Sequence, residues 1–154
     1  MHPFPAPPKT LRSLFPAHSL TYTSSIIPSR NGETMPQVHD RCAYALSCII
    51  SSLDREVGDE DVAIVICTHA ASLIAMGRAL TGEMPRDANE EDFKPFTCGV
   101  SKFVRRRVER EMERWEKGTE VPELGWRGKG VGGGWICVMN GSCEHLSGGA
   151  ERGW

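Results

Sequence analysis

The chain contains no apolar run approaching the about 18 residues that a bilayer-spanning helix requires, so no transmembrane segment is expected. It has no surplus of charge of one sign: 18 Lys and Arg against 20 Asp and Glu leave a net charge of -2. That balance supplies no general attraction to nucleic acid or to an anionic membrane. The N-terminus lacks the unbroken apolar stretch of a signal peptide, because prolines stand at positions 3, 5, 7, 8 and 16. Cys-x-x-Cys pairs are absent, and the six cysteines (42, 48, 67, 98, 137 and 143) fall mostly within apolar elements. This is the distribution of reduced core thiols rather than of a disulfide framework. Together these absences predict an intracellular protein, cytoplasmic or nuclear. No internal repeat is visible.

What is present suits one domain. A chain of 154 residues, 40% hydrophobic and 25% charged, is long enough to enclose a real core. Residues 1–33 are rich in Pro and Ser without apolar period and read as an irregular lead-in with at most one short helical turn. Thr34 and Gln37 then form the pattern of a capping box, with Pro36 in the first turn, where its missing N–H does no harm. From there Val38, Cys42, Ala45, Ile49, Leu53 and Val57 recur at spacings of three and four until Gly58, which predicts a long amphipathic helix.

The next segment, Val62 to Cys67 (VAIVIC), is continuously apolar and mostly β-branched, the composition of a parallel strand covered on both faces. It is expected to lie centrally in a parallel sheet. AASLIAMGRALTG reads as a helix stopped by Gly82, FKPFTCGVSKFV as a further strand and Trp135 to Met139 as a short strand behind a glycine-rich approach. Residues 106–133 read as a variable, charged and Gly-rich excursion. Its i,i+4 pairs, Arg106 with Arg110 and Glu109 with Glu113, are like-charged and give a helix poor support.

His69 stands where the strand Val62 to Cys67 meets its following helix. In open α/β sheets, ligands gather at the carboxyl ends of strands, where helix N-termini present free N–H groups. An imidazole there can donate to an anion such as a phosphoryl oxygen. The bland alternative is a satisfied polar cap.

The surrounding residues carry a resemblance that sharpens this reading. IVICTHAASLIAMGRALTGEMP resembles the segment around the second histidine of the histidine phosphatase superfamily, the phosphoglycerate mutase-like proteins. PSRNGETMPQVHDR resembles its Gly-Glu, helix, Arg segment, and FTCGVSKFVRR and GGWICVMNGSCEHLSGG resemble its closing strands. HDR, CTHAA and the final LSGG-x-ERGW are most similar to a fungal subgroup related to the phosphatase-like domain in the small tau subunit of RNA polymerase III initiation factor C. The resemblance implies a three-layer αβα fold with a mostly parallel sheet. It also implies phosphomonoester hydrolysis or phosphoryl transfer through a phosphohistidine, with no cofactor and no metal.

Carried over residue by residue, the resemblance makes His69 the catalytic and phosphate-binding second histidine, with Arg41 as a phosphate-binding candidate. Glu33, Thr68 and Ala70 become pocket candidates, although Glu33 and Arg41 read first as a surface pair or local scaffold. The nucleophile of the family, a histidine in Arg-His-Gly, has no counterpart: none of His2, His18, His39, His69 and His145 follows an arginine. The strand bearing that motif is missing with it. The chain thus resembles the C-terminal portion of a family member and is expected to be inactive as written. A phosphorylated small molecule or phosphoprotein is the substrate class for an active form. The alternative, from a different class, is a non-catalytic interaction subunit with protein partners, in RNA polymerase III transcription.

Weaker signals point elsewhere with less force. His39 is expected at the surface, in the polar first turn of its helix, and His145 in a structural hydrogen bond. Cys137, Cys143 and His145 lack the paired spacing of a zinc site. KFVRRRVER is basic, but acidic residues follow at once without interleaved aromatics, so direct nucleic-acid binding is not expected. A missing neighbour strand also leaves apolar edge and face bare. Poor solubility or a compensating partner is therefore the expected behaviour on purification; a cooperatively melting, soluble monomer in analytical ultracentrifugation and calorimetry contradicts it.

Overall fold

Thr34 opens the longest helix as its composition requires. Its hydroxyl accepts from the Gln37 N–H, and the Gln37 side chain in turn accepts from the Thr34 N–H at 2.8 Å. This computed structural model describes residues 6–58, 60–87, 90–106 and 121–151. Within them, α1 (Pro8–Leu14), α2 (Met35–Val57) and α3 (Ala70–Thr81) precede β1 (Val100–Arg105) and β2 (Trp135–Ser142), with a 3-10 turn at Val131–Gly133 between the strands. The protein is thus mixed α/β. The short α1, which buries no residue, spans more than the single turn expected of the lead-in.

β1 and β2 form a two-stranded antiparallel sheet, Val104 opposite Ile136 and Phe103 opposite Cys137. One face of this ribbon packs toward α2 and α3, and the pleat turns Val100, Lys102, Val104, Ile136 and Val138 to the other. The expected central parallel strand is not formed: Val62–Cys67 belongs to no regular element and has no ladder partner among the described residues. Its aliphatic side chains stand in solvent, Val65 at 88% exposure. A strand exists only through its neighbour's hydrogen bonds, so apolar content alone did not make one here.

The core lies where α2 crosses α3. Ala43, Leu46, Ile50, Ala79, Leu80, Trp126 and Val131 form one buried cluster. The buried face of α2 runs through His39, Cys42, Ala43, Leu46, Ser47 and Ile50. It is rotated from the apolar stripe read off the sequence, whose Val38, Ala45, Ile49, Leu53 and Val57 are half-buried. Small residues permit the close crossing: an added Cβ at Gly77 would fall 2.8 Å from the Phe93 ring.

α3 stops at Gly82 in the left-handed region (φ 80°), as expected of its glycine. The loop after Trp126 docks on that stop, the Gly128 N–H donating to the Gly82 carbonyl at 2.7 Å. Within the excursion 106–133, residues 107–120 lie outside the described residues, but 121–133 contributes Pro122, Trp126 and Val131 to the interior. Gly130 makes the docking possible: it sits at φ 77°, ψ 164°, where an added Cβ would overlap the Leu80 carbonyl. Gly130→Ala is expected to cost about 2–4 kcal/mol from backbone strain plus overlap. Gly128→Ala, with a positive φ but open space around it, is expected to cost about 1–2 kcal/mol. Urea titrations of both variants check the difference.

Candidate functional site

His69 caps α3, with extended backbone dihedrals (φ -91°, ψ 164°) and its carbonyl accepting the first helical bond from the Leu73 N–H at 2.9 Å. Its side chain makes no capping hydrogen bond and is exposed, as is Thr68, while Ala70 is half-buried. The imidazole is therefore free to donate to an incoming anion beside the unsatisfied N–H groups of the first turn.

Glu33 and Arg41 meet as an ion pair, Arg41 Nε donating to Glu33 Oε1 at 2.5 Å with both side chains mostly covered. The carboxylate raises the arginine's pKa through this hydrogen bond, against the opposing effect of burial. Among the described residues, no hydrogen bond, ion pair or ring contact joins His69 to this pair. The five sequence candidates thus fall into two groups: Thr68, His69 and Ala70 at the helix start, and Glu33 with Arg41 at the start of α2. A single donor at a helix end can hold an anion, but hydrolysis also needs a nucleophile and a proton source in reach.

The concentrated polar chemistry lies elsewhere, at residues the sequence reading passed over. Arg78, from the middle of α3, is completely buried. Its Nε and Nη2 donate to the two oxygens of Asp92 at 2.7 and 3.0 Å, and Nη2 also reaches the Glu90 carbonyl at 3.1 Å. Its Nη1 lies 3.3 Å from His39 Nε2. A guanidinium can only donate, so Nε2 is the acceptor, and His39 Nδ1 carries the hydrogen donated to the Met35 carbonyl at 2.7 Å. The expected surface position of His39 is corrected: it is 2% exposed because both ring nitrogens are committed.

The His39 ring stacks on Trp126 with centroids 6.3 Å apart. The Trp126 Nε1–H donates to Asp40 at 2.9 Å, and Asp40 also pairs with Arg127, whose guanidinium lies over the indole. Arg78 therefore serves as an internal tie rather than a ligand-facing cation. A sequence signal for it was present: an arginine flanked by Gly77 and Ala79 on a predicted core helix needs a partner.

Arg105, weighed above as a nucleic-acid contact, is likewise occupied. It forks onto Asp54 at 2.7 and 2.9 Å and donates to the Gly132 carbonyl at 2.6 Å. His145 donates to the Cys98 carbonyl at 3.1 Å, and the Cys137 and Cys143 thiols hydrogen-bond to the carbonyls of Met139 and Gly141. A cavity of about 410 Å³ opens between Tyr22, Thr23 and the Cys48, Ser52 side of α2. None of the five candidates lines it.

No family model matches the sequence. Over 158 aligned residues, 99% of the chain, it is 26% identical to the transcription factor tau 55 kDa subunit of Saccharomyces cerevisiae. That alignment covers 35% of the yeast protein, so the chain spans about a third of the length of the curated relative it matches.

Two measurements probe this geometry. Asp92→Asn leaves the buried Arg78 cation without its charge partner. The expected loss is toward the lower end of about 3–5 kcal/mol, because the Asp92 side chain keeps 21% of its surface exposed; thermal and urea unfolding read it. Burial raises the Cys42 thiol pKa and removes it from solvent, whereas Cys67 and Cys98 are exposed. Timed alkylation followed by mass spectrometry is expected to label Cys67 and Cys98 first and Cys42 only on global opening.

Proposed function

We propose that this chain is a phosphatase-like interaction module of a transcription factor, acting without catalysis. The observation that carries the reading is the similarity of 99% of the chain to about a third of the tau 55 kDa subunit. The resemblance of the HDR, CTHAA and LSGG-x-ERGW segments to the small tau subunit of RNA polymerase III initiation factor C supports the same assignment and a nuclear setting. No helix among the described residues is long and apolar enough to cross a membrane.

The chemistry of the site agrees with this reading. Among the described residues His69 is an exposed donor with no second histidine in contact, and the polar groups that could have furnished a pocket, Arg78 and Arg41, are spent on Asp92 and Glu33. In this reading residues 1–154 belong to a single phosphoglycerate mutase-like domain of three-layer αβα type, in which Val62–Cys67 is an interior strand and residues 1–33 and 106–133 are its lead-in and excursion. Any hydrolysis of a phosphorylated small molecule or phosphoprotein would run through His69, with Arg41 as a further phosphate contact only once it is released from Glu33. It would require neither metal nor cofactor.

The test separates the two classes of function. Tagged endogenous protein is expected to co-purify with subunits of the RNA polymerase III initiation machinery in stoichiometric amounts, identified by mass spectrometry. Hydrolysis of p-nitrophenyl phosphate is expected at background and unchanged by His69→Ala. Turnover that disappears with His69→Ala establishes the enzyme instead.

A further inference from the structure

Asn140, near the end of β2, is exposed, yet both ends of its carboxamide are committed. Oδ1 accepts from the Lys94 N–H and Nδ2 donates to the Asp92 carbonyl, each at 2.9 Å. One side chain thus clips residues 92–94 to the ribbon, donating from one atom and accepting at the other. A carboxylate, which only accepts, cannot replace it. The clipped segment carries the carboxylate that neutralises the buried Arg78.

The irregularity that aims Asn140 at this segment also dictates its neighbour. Val100 pairs with Ser142 and Lys102 with Met139, so β2 holds one more residue than β1 between these two pairs. Such a bulge sets Asn140 and Gly141 opposite Ser101 and re-aims a side chain out of the regular pleat. Gly141 lies at φ 65°, and a Cβ on it would fall 2.5 Å from the Lys94 carbonyl oxygen. Position 141 is therefore restricted to glycine. The clip needs asparagine and the bulge needs glycine. The resulting Asn-Gly pair has no side chain on the second residue to shield the asparagine Cγ from the backbone nitrogen that follows it.

We propose that Asn140–Gly141 is a deamidation site held shut by the ribbon, and that its conversion releases residues 92–94. In this step the Gly141 nitrogen bonds to Asn140 Cγ, the Cγ–Nδ2 bond breaks, and the hydrogen from the Gly141 nitrogen leaves with Nδ2 as ammonia. Water then opens the cyclic imide at either carbonyl, giving aspartate or isoaspartate. The net change is one water consumed and one ammonia released.

In the folded chain both reacting groups are engaged. The Gly141 N–H donates to Ser101 Oγ at 3.0 Å, and the Asn140 carboxamide is pinned by its two hydrogen bonds. Reaction thus requires local opening of the bulge. The product does not re-form the clip, because a carboxylate oxygen faces the Asp92 carbonyl where a donor stood. Isoaspartate in addition lengthens the β2 backbone by one methylene and disturbs the pairing on either side of it.

The chain supplies its own reference. Asn31–Gly32 is a second Asn-Gly pair, exposed in the lead-in, with open space around Gly32 and no hydrogen bond to the Asn31 side chain among the described residues. The test incubates the full chain at mildly alkaline pH, folded and in urea, and follows both sites by peptide mass spectrometry that separates aspartate from isoaspartate. In the folded chain Asn31 is expected to convert at least about tenfold faster than Asn140, and in urea the two rates are expected to agree within about threefold. Asn140→Asp, the aspartate product made directly, is expected to speed hydrogen exchange across residues 92–94 by at least about tenfold.

Equal rates at the two sites in the folded chain overturn the proposal, because the ribbon then gives Asn140 no protection. A gap between them that persists in urea overturns it too, since its cause is then local sequence rather than the fold. Parent-like exchange across residues 92–94 in Asn140→Asp refutes the release step.

Discussion

A guanidinium taken completely out of water must be paired on nearly every N–H, and the arrangement of this protein follows from how Arg78 meets that demand. Asp92 neutralises it, the Glu90 carbonyl takes a further donor, and the unprotonated Nε2 of His39 accepts the last contact. His39 comes from α2 and Glu90 and Asp92 from the segment after α3, so sliding the two helices breaks the buried Arg78–His39 hydrogen bond beside the charge pair. The second tie, Arg105 on Asp54 and Gly132, fastens the ribbon to the far end of α2.

This division of labour bears on function. The buried ion pair and the His39 ring, which stacks on Trp126, are spent on architecture, and the polar group left exposed at the helix start, His69, faces solvent without a catalytic companion. What the surface offers instead is aliphatic: Val62–Ile66 and the outer face of the ribbon. Contiguous exposed apolar area of this kind is where protein contacts form, which agrees with the interaction-module proposal.

Much of the secondary structure was legible in the sequence because its causes are local. The Thr34 and Gln37 capping box and the Gly58 and Gly82 stops depend on residues within a few positions of each other, whereas the strands expected over 93–104 and 135–139 formed at Val100–Arg105 and Trp135–Ser142, with bounds set by their pairing. The buried face of α2 was displaced from its apparent stripe because His39 and Ser47 are interior for non-local reasons. His39 is buried by Arg78 and Trp126, and no periodicity of α2 encodes either partner. Trp126 was hidden for the same reason within a stretch that looked variable.

The candidate site shows the same boundary. Histidine before a small-residue helix was readable as an anion-facing cap, and Glu33 with Arg41 as a pair, since eight residues across a helix start bring them together. Sequence by itself determined α2 and α3, the capping box and the glycine stops, and the apolar character of Val62–Cys67, because propensity and capping act over one or two turns. Only the tertiary structure decided that this segment lies bare, that Arg78 rather than Arg41 is the innermost cation, and that His39 is buried. Pairing, burial and charge neutralisation depend on residues brought together from 14 to 86 positions apart, and that proximity exists only once the chain has folded.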